Sequence, residues 1–507
     1  MRFPGRFFLE QVESMALRNP IAALVIAASC LSLACAPLLR AADEPKDDAP
    51  AGQESEPESK ANTKTTSKTP AAKSGKIKDS ALDKAFRSAQ RSALSQMKSK
   101  KIDNRAEAFE KLKEFPTADC AKLLVLQGMT SPYDDVRKQA YATLASFRDS
   151  EEVCNYLLAS VEKDSTRGTP NETTCALFAV TLSSESAAVE EKAFNLFDKA
   201  AGQRRGGMLM LVTLVDQLGA ADEEASVPTL VKISKRPIFK DQFAIRRSVV
   251  QALTKISEKS AVDALIDILG KSEGEARVDI VQHLSGISGQ KLGIDAQAWN
   301  NWWKTARENF KFPASGARAA NKAEALQGRS MYYGLPIYAS RILFVIDTSK
   351  SMHGPRIYAA KRELINAING LPEGVYFDVL AFDRGVKPWQ RKLAIASSEN
   401  KRKATGWVGG ISDQDLGGAT ASYDALETAL DFDTESIFFL TDGKPAGGKI
   451  DNPPEIVDVI SRLNFTRRIT INTIGIGVGP ALPTNLFHDF LSTLAERNYG
   501  EYKAVNE

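Results

Sequence analysis

Hydrophobic and polar positions follow four different patterns along the chain. Residues 21–39 are apolar and uncharged, residues 43–78 hold almost no large apolar side chain, and residues 104–312 repeat apolar positions at helical spacing. From residue 341 onward, short apolar runs alternate with amphipathic segments. The first pattern indicates a targeting segment and the second indicates a linker. The last two patterns indicate folded regions of different structural class. We therefore predict a multidomain chain with the segments 1–42, 43–103, 104–313 and 338–507.

The first apolar run predicts a secretory signal peptide over residues 1–42. It is uncharged and has a basic residue on each side, which is the layout of a segment that directs export. We therefore expect an exported protein, in the periplasm, in the cell envelope or secreted. An uncleaved membrane anchor and a lipidated Cys30 or Cys35 stay open as alternatives. Translation starts at either Met1 or Met15.

Residues 43–103 predict a disordered, low-complexity linker. Ala, Ser, Thr, Pro, Glu and Lys dominate its first part, and this composition buries too little apolar surface to offset the entropy of ordering. Most of its acidic residues come first and most of its lysines follow. The basic block is either part of a solvated spacer or a contact with an anionic polymer or lipid headgroup, which would tether the protein to the envelope or a membrane.

Residues 104–313 predict an α-helical region. An apolar residue followed by arginine, with further apolar residues four and eight positions on, occurs at Val136-Arg137, Ile245-Arg246 and Ala276-Arg277. In each copy the apolar trio lies on one helical stripe, with the arginine beside it. The pattern resembles the HEAT family of helical-pair repeats, which implies a solenoid with a concave surface for binding partners. An irregular helical bundle stays open as the alternative.

The last third predicts a doubly wound α/β domain. Its first run, Arg341–Asp347, is almost continuously apolar and ends in a carboxylate, as expected for a parallel strand that is buried on both faces. Strand and helix patterns alternate from there on. The predicted strands are 341–347, 376–382, 436–441, 470–476 and one near Tyr502, and the predicted helices are 356–369, 422–430, 454–463 and 486–496.

Oxygen-bearing side chains cluster at the predicted strand ends. Asp347, Ser349 and Ser351 follow the first strand at alternate positions. Thr420 lies in a glycine-containing loop before a helix, and Asp442 ends a later strand. Ligands in open α/β sheets bind beyond the carboxyl ends of the strands, so we expect these side chains to meet there. Carboxylate and hydroxyl oxygens are hard ligands, which suit Mg²⁺ rather than zinc.

These motifs resemble the von Willebrand factor type A domain with its metal-ion-dependent adhesion site, and the resemblance covers about residues 338–505. It implies that Asp347, Ser349 and Ser351 ligate the ion, which would be Mg²⁺ or else Mn²⁺ or Ca²⁺. It also implies that Thr420 binds the ion directly in one state and that Asp442 acts directly or through water. The threonine loop reads Gly-Gly-Ala-Thr, whereas the family commonly has Gly-Gly-Thr. An Asp or Glu carboxylate from a partner protein would complete the coordination.

Composition excludes several classes of function. Lys and Arg number 66 against 63 Asp and Glu, and a net charge of +3 excludes a globally basic nucleic-acid binder. Only three histidines are present, far apart in the sequence, so a site with several histidines is not expected.

Beyond the predicted signal peptide, Cys120, Cys154 and Cys175 remain. They are either small buried residues or include one disulfide-bonded pair.

The sequence therefore predicts a binding protein and not an enzyme. In this interpretation the helical repeats and the metal-dependent domain of an exported adhesion or scaffold protein bind different partners. A hydrolase that uses the same metal to activate water is one alternative, and Asp383 and His353 are then the candidate general bases. A metal-free structural scaffold is the other alternative.

Overall fold

The computed structural model describes residues 79–166, 171–203, 206–220, 224–313, 330–477 and 485–505. The described residues all belong to one compact unit. The predicted signal peptide and the first part of the predicted linker, up to residue 78, lie outside the described residues. Among the helices that are described, none combines the length and the apolar character needed to cross a membrane.

Helices build the first folded region in the described part of the chain, which confirms the predicted helical class. In chain order they are α1 (Asp79–Gln96), α2 (Ile102–Glu110), α3 (Ala118–Leu123), α4 (Asp134–Ser146), α5 (Glu151–Thr166), α6 (Glu172–Leu182), α7 (Ala187–Ala201), α8 (Gly207–Ala220), α9 (Val227–Ser234), α10 (Pro237–Asp241), α11 (Phe243–Leu253), α12 (Lys259–Leu269), α13 (Gly274–Ser288) and α14 (Ala296–Ala306). A π-helical turn, Leu124–Gly128, continues α3.

Several of these helices pack one on the next in a continuous inner row. The contacts run from α2 through α4, α6, α8 and α11 to α13. The three copies of the apolar-arginine motif lie in α4, α11 and α13, and the side chains of their apolar positions are fully buried: Val136, Ala140, Leu144, Ile245, Val249, Leu253, Ala276, Ile280 and Leu284. One hydrophobic core runs along the helical region. The stacked order agrees with a solenoid, and the HEAT assignment stays a prediction.

Helix α1 corrects the predicted linker. It lies within the segment 43–103, yet Phe86, Ala89, Ala93 and Met97 are buried in the core of the helical region. These residues follow one another at intervals of three or four positions, which is a helical stripe. Small and basic residues around them hide the stripe in the sequence. The linker prediction therefore fails for residues 79–97, and the helical region begins before residue 104.

The cysteines of the helical region are free thiols in the described structure. Cys120, Cys154 and Cys175 are buried, and each Sγ lies near a backbone carbonyl oxygen at 3.2–3.6 Å. Burial raises the pKa of the Cys120 and Cys175 thiols to about 12. Of the two roles left open by the sequence, the structure shows the small buried side chain.

The second folded region is an α/β domain, as predicted. Its strands are β1 (Met331–Tyr332), β2 (Leu335–Pro336), β3 (Arg341–Asp347), β4 (Tyr376–Phe382), β5 (Val386–Pro388), β6 (Ala394–Ile395), β7 (Ser436–Thr441), β8 (Thr470–Ile476) and β9 (Tyr502–Val505). Its helices are α15 (Pro355–Gly370), α16 (Ser398–Gly410), α17 (Ser422–Leu430), α18 (Pro453–Asn464) and α19 (Leu486–Arg497). The β1–β2 hairpin begins before residue 338, the predicted start of this domain.

The main sheet has the strand order β5-β4-β3-β7-β8-β9, and β6 also pairs with β4. Strands β4, β3, β7, β8 and β9 are parallel, while β5 and β6 run antiparallel to β4. A hydrophobic core lies on each face of the sheet, which explains the continuous apolar runs of β3 and β7. The chain leaves β3 toward β4 on one side and later returns to β7 on the other. The end of β3 is therefore a topological switch point, where ligands bind in such sheets.

The helical region packs on the amino edge of the sheet, which is the edge where β3, β7 and β8 begin. Arg247 of α11 is fully buried there and makes a two-pronged ion pair with Asp279 of α13, at 2.8 and 3.1 Å. Its Nη1 donates to the carbonyl oxygen of Arg468 at 2.9 Å and to Thr470 Oγ1 at 2.7 Å. One arginine thus joins two helices to the start of β8.

Glu435, directly before β7, makes a second contact at the amino edge. Its carboxylate accepts a hydrogen bond from Ser340 N at 3.0 Å and lies 3.3 Å from Arg246 of α11. Burial raises the pKa of Glu435, and the nearby arginine opposes that shift. A methyl group on Gly274, which has φ of +63°, would lie 1.8 Å from Glu435 Oε2. Glycine is required at this position because both its conformation and its close approach exclude a side chain.

Candidate metal site

Asp347 lies at the carboxyl edge of the sheet, where the parallel strands end. Its side chain is fully buried because β3 runs between β4 and β7. Ser349 N donates a hydrogen bond to Asp347 Oδ1 at 2.7 Å, and Thr441 Oγ1 at the end of β7 donates to Oδ2 at 2.5 Å. Two neighbouring strand ends therefore fix both oxygens of this carboxylate.

Hydrogen bonds connect Asp347 to three other residues of the predicted site. Ser349 Oγ and Ser351 Oγ lie 2.9 Å apart, and Ser351 Oγ donates to Asp442 Oδ1 at 2.7 Å. Asp442 directly follows β7, and its side chain has no exposed surface. The structure thus brings two carboxylates and two serine hydroxyls together, and we call these four residues with Thr420 the oxygen group.

Thr420 reaches the oxygen group from a third loop. Thr420 and Ala446 exchange backbone hydrogen bonds of 2.9 and 3.0 Å, which hold the threonine loop against the loop after β7. A methyl group built on Gly443 would lie 3.5 Å from Ser351 Oγ and 3.7 Å from Thr420 Oγ1. The hydroxyls of Thr420 and Ser351 therefore border the same small space. It stays open because Gly443 has no side chain.

The threonine loop is also attached to the loop after β3. Lys350 N donates to Gly417 O at 2.6 Å, and Gly417 N donates to Thr348 O at 3.0 Å. A methyl group on Gly417 would lie 2.4 Å from Asp383 Oδ2, so only glycine allows this close approach. With the extra alanine of Gly-Gly-Ala-Thr, the threonine loop still contacts both the loop after β3 and the loop after β7.

Arg356 contacts the oxygen group although the sequence motifs do not include it. Its Nη1 donates to Asp442 Oδ2 at 2.8 Å. Arg356 is the second residue of α15, whose first turn contains no acidic residue. A basic side chain in the first turn opposes the helix macrodipole, and this local anomaly is the signal from which the contact could have been suspected. Thr441 was also missed, because its role depends on the pairing of β7 with β3.

The electrostatics of the oxygen group favour a bound cation. Burial raises the pKa of Asp347 to about 7, although Thr441 and Ser349 donate hydrogen bonds to it, and the charge of Asp442 acts in the same direction as burial. A nearby cation would favour the ionised form of both carboxylates. In the described structure no cluster of three His, Cys, Asp or Glu side chains occurs. Carboxylate and hydroxyl oxygens, the donors of the oxygen group, are hard ligands of the kind that Mg²⁺ prefers.

Asp383 and His353, the candidate bases of a hydrolase, make no hydrogen bond or ion pair with the oxygen group in the part of the chain that the structure describes. Asp383 Oδ1 accepts a hydrogen bond from Gly385 N at 2.9 Å, and its Oδ2 lies 3.8 Å from Lys387 Nζ. His353 is exposed, and its Nε2 lies 3.8 Å from Asp413. Both side chains instead contact residues outside the oxygen group.

A sequence model of the von Willebrand factor type A domain matches residues 340–504. Inter-alpha-trypsin inhibitor heavy chain H3 of Mesocricetus auratus is 30% identical over 184 residues, which cover 34% of this chain and 20% of that protein. Inter-alpha-trypsin inhibitor heavy chain H4 of Homo sapiens is 29% identical over 187 residues, which cover 34% and 19%. The chain thus spans about a fifth of the length of the curated relatives it matches.

Two solved structures also match part of the chain. A von Willebrand factor type A protein from Catenulispora acidiphila shares 22% identity at a TM-score of 0.28, over 33% of this chain and 38% of that one. The PilB minor pilin from Streptococcus sanguinis shares 12% identity at a TM-score of 0.26, over 38% of this chain and 59% of that one.

Proposed function

Residues 340–504 form a von Willebrand factor type A domain, and from this premise we propose that the protein is an exported adhesion or scaffold protein. In this proposal the domain captures an Asp or Glu carboxylate of a partner protein through a bound divalent cation. The supporting observation is the oxygen group, because its carboxylates and hydroxyls converge from different loops at the switch point of the sheet.

The proposed ligands are Asp347, Ser349, Ser351, Thr420 and Asp442, and the proposed ion is Mg²⁺, with Mn²⁺ or Ca²⁺ as alternatives. The bound ion would supply a hard, electrophilic site for one oxygen of the partner. Asp347 and Asp442 bring two formal negative charges, which equal the charge of the ion. The loaded site therefore has no excess negative charge to repel an acidic partner.

Preorganisation supports the same role. Hydrogen bonds from Ser349 N and Thr441 Oγ1 orient both oxygens of Asp347. Holding the ligands in place lowers the conformational cost of binding. The helical region contacts the amino edge of the sheet, at the opposite ends of the strands. A partner can therefore reach the oxygen group without displacing the helices, which leaves them available for a different partner.

Titration calorimetry with Mg²⁺ and Mn²⁺ tests the proposed site. We expect the wild-type protein to bind each ion and Asp347→Ala to bind neither, while its circular dichroism stays unchanged. The matched control is Asp431→Ala, which removes a carboxylate that is 81% exposed and belongs to no part of the oxygen group. This control should bind the ions as the wild type does. Equal binding by wild type and Asp347→Ala would contradict the proposed ligands.

Partner capture tests the second half of the proposal. Immobilised wild-type protein is exposed to an envelope extract in Mg²⁺, in EDTA, and after amidation of the carboxyl groups in the extract. We expect retention only in Mg²⁺ with untreated extract, and none with Asp347→Ala. Retention that persists in EDTA, or after amidation, would refute capture of a carboxylate through the ion.

A further inference from the structure

Asp442 is the member of the oxygen group whose charge already has a positive partner. Its Oδ1 accepts a hydrogen bond from Ser351 Oγ at 2.7 Å, and its Oδ2 accepts one from Arg356 Nη1 at 2.8 Å. The Asp442 side chain has no exposed surface, so its negative charge depends on these contacts instead of water. Arg356 thus bonds the Asp442 oxygen that Ser351 does not contact, so an ion at the oxygen group would share this carboxylate with the guanidinium.

We propose that Arg356 competes with the divalent cation for Asp442 and thereby sets the metal affinity of the site. This inference rests on the proposed function, since it assumes that the ion binds the oxygen group. Arg356 supplies a positive charge to the buried carboxylate, and repulsion between the guanidinium and the ion opposes ion binding. The site therefore binds the ion only when the free ion concentration is high enough to compete with Arg356.

The backbone before α15 fixes Arg356 in this place. Gly354 has φ of +78°, a left-handed conformation that suits glycine, and Pro355 is the first residue of the helix. Arg356 follows at once, at the helix end where the macrodipole disfavours a positive charge. Its ion pair with Asp442 compensates for that unfavourable position. Because the dipole already acts against Arg356, a competing ion displaces it more easily than it would displace an arginine at a neutral position.

The guanidinium also has room to leave. The Arg356 side chain is 30% exposed, whereas the Asp442 side chain is buried. Two positive groups bound to one carboxylate repel each other strongly in a partly buried site. Arg356 can relieve this repulsion by moving toward solvent, where its charge is hydrated, without disturbing the buried ligands.

Calorimetric titration with Mg²⁺ of four proteins tests the competition: wild type, Arg356→Gln, Arg356→Lys and Lys444→Gln. We expect Arg356→Gln to bind Mg²⁺ with a Kd at least about tenfold lower than the wild type, because the rival charge is gone. Arg356→Lys keeps the charge without the planar guanidinium and should give an intermediate Kd. Lys444→Gln removes one exposed positive charge two residues from Asp442 and should change the Kd by less than about twofold.

The outcomes separate this inference from the proposed function. If none of the four proteins binds Mg²⁺, the metal site itself is refuted, and the competition with it. If all four bind with the same Kd, the metal site stands and the competition is refuted. Equal tightening in Arg356→Gln and Lys444→Gln would show a general charge effect, and weaker binding in Arg356→Gln would show that the arginine supports the site. Either result overturns the inference. Thermal unfolding of each variant without Mg²⁺ verifies that the fold is intact.

Discussion

The amino and carboxyl edges of the main sheet differ in how their carboxylates are paired with positive charges. At the amino edge, Arg247 makes two hydrogen bonds with the partly buried Asp279 and Arg246 lies beside the buried Glu435, so arginines from the helical region pair with these carboxylates. At the carboxyl edge, Asp347 and Asp442 together make one ion pair among the described residues, from Asp442 to the partly exposed Arg356. At the amino edge, the paired carboxylates connect the helical region to the sheet. At the carboxyl edge, the carboxylates outnumber the cations that pair with them, which suits a ligand-binding site.

This difference has an energetic basis. Removing two charges from water is costly, and mutual attraction offsets the cost only where hydrogen bonds satisfy the remaining polar atoms. Arg247 meets this condition, since its nitrogens also bond a backbone carbonyl and a threonine hydroxyl. Asp347 has hydrogen-bond donors but no ion pair in the described structure, and burial raises its pKa. The amino edge therefore pairs its carboxylates with arginines, and in the proposed function a cation balances the carboxylates of the carboxyl edge.

Arg247→Ala should weaken the contact between the helical region and the sheet, and we expect it to lower the unfolding free energy more than the other changes do. It leaves the partly buried Asp279 without its ion-pair partner and removes the buried guanidinium that links the helices to β8, so we expect a loss of about 3–5 kcal/mol in the free energy of unfolding. Urea denaturation measures this loss. The matched control is Arg137→Ala, whose side chain is 41% exposed in an ion pair with Asp134, and it should lose less than about 1 kcal/mol. Equal losses in both variants would contradict the contrast.

Asp378 in β4 sharpens the comparison, because it is a buried acid with neither a fixed cation nor a place in the oxygen group. Its Oδ1 accepts hydrogen bonds from Val379 N and Gln390 N, while Oδ2 has no hydrogen-bond partner among the described residues. Burial raises its pKa to about 7. The folded protein therefore holds this proton between pH 4 and 7, where the unfolded chain loses it.

The stabilising contribution of the protonated Asp378 is consequently complete below about pH 4 and declines as the pH rises through 7. Relative to Asp378→Asn, the wild type should lose on the order of 3 kcal/mol in unfolding free energy over this range. Urea denaturation at several pH values measures the difference. Asp431→Asn, at an exposed carboxylate, should run parallel to the wild type. A constant difference between wild type and Asp378→Asn would show that the carboxyl is ionised throughout.

Mg²⁺ should stabilise the carboxyl edge and give the smallest of the three effects. A ligand that binds only the folded protein raises the unfolding free energy by about 2.7 kcal/mol at a concentration one hundred times its Kd. We expect the Tm of the wild type to rise with Mg²⁺ concentration and that of Asp347→Asn to stay constant, because the variant lacks one anionic ligand. Differential scanning fluorimetry measures both. A rise of similar size in Asp347→Asn would place the stabilising ion elsewhere.

The sequence predicts most of the α/β domain because its signals are local. The bounds of β4, β7 and β8 agree with the predicted strands, since apolar runs that are buried on both faces leave a continuous pattern. Strands β5 and β6 are too short to leave such a pattern, and helix α16 buries only Ala404 and Val408. The oxygen group follows from motif spacing, but Arg356 does not, because its partner lies 86 positions further along the chain.

The sequence by itself determined the class of each region and the residues that meet at the carboxyl edge, since periodicity and strand ends depend on near neighbours. Only the tertiary structure decided that Arg247, with Arg246 beside it, joins the two regions. Arg137 and Arg246 occupy the same position of the repeated motif, yet the fully buried arginine is Arg247, one residue further on. Its role comes from contacts with Arg468 and Thr470, more than two hundred residues away, which no local pattern encodes.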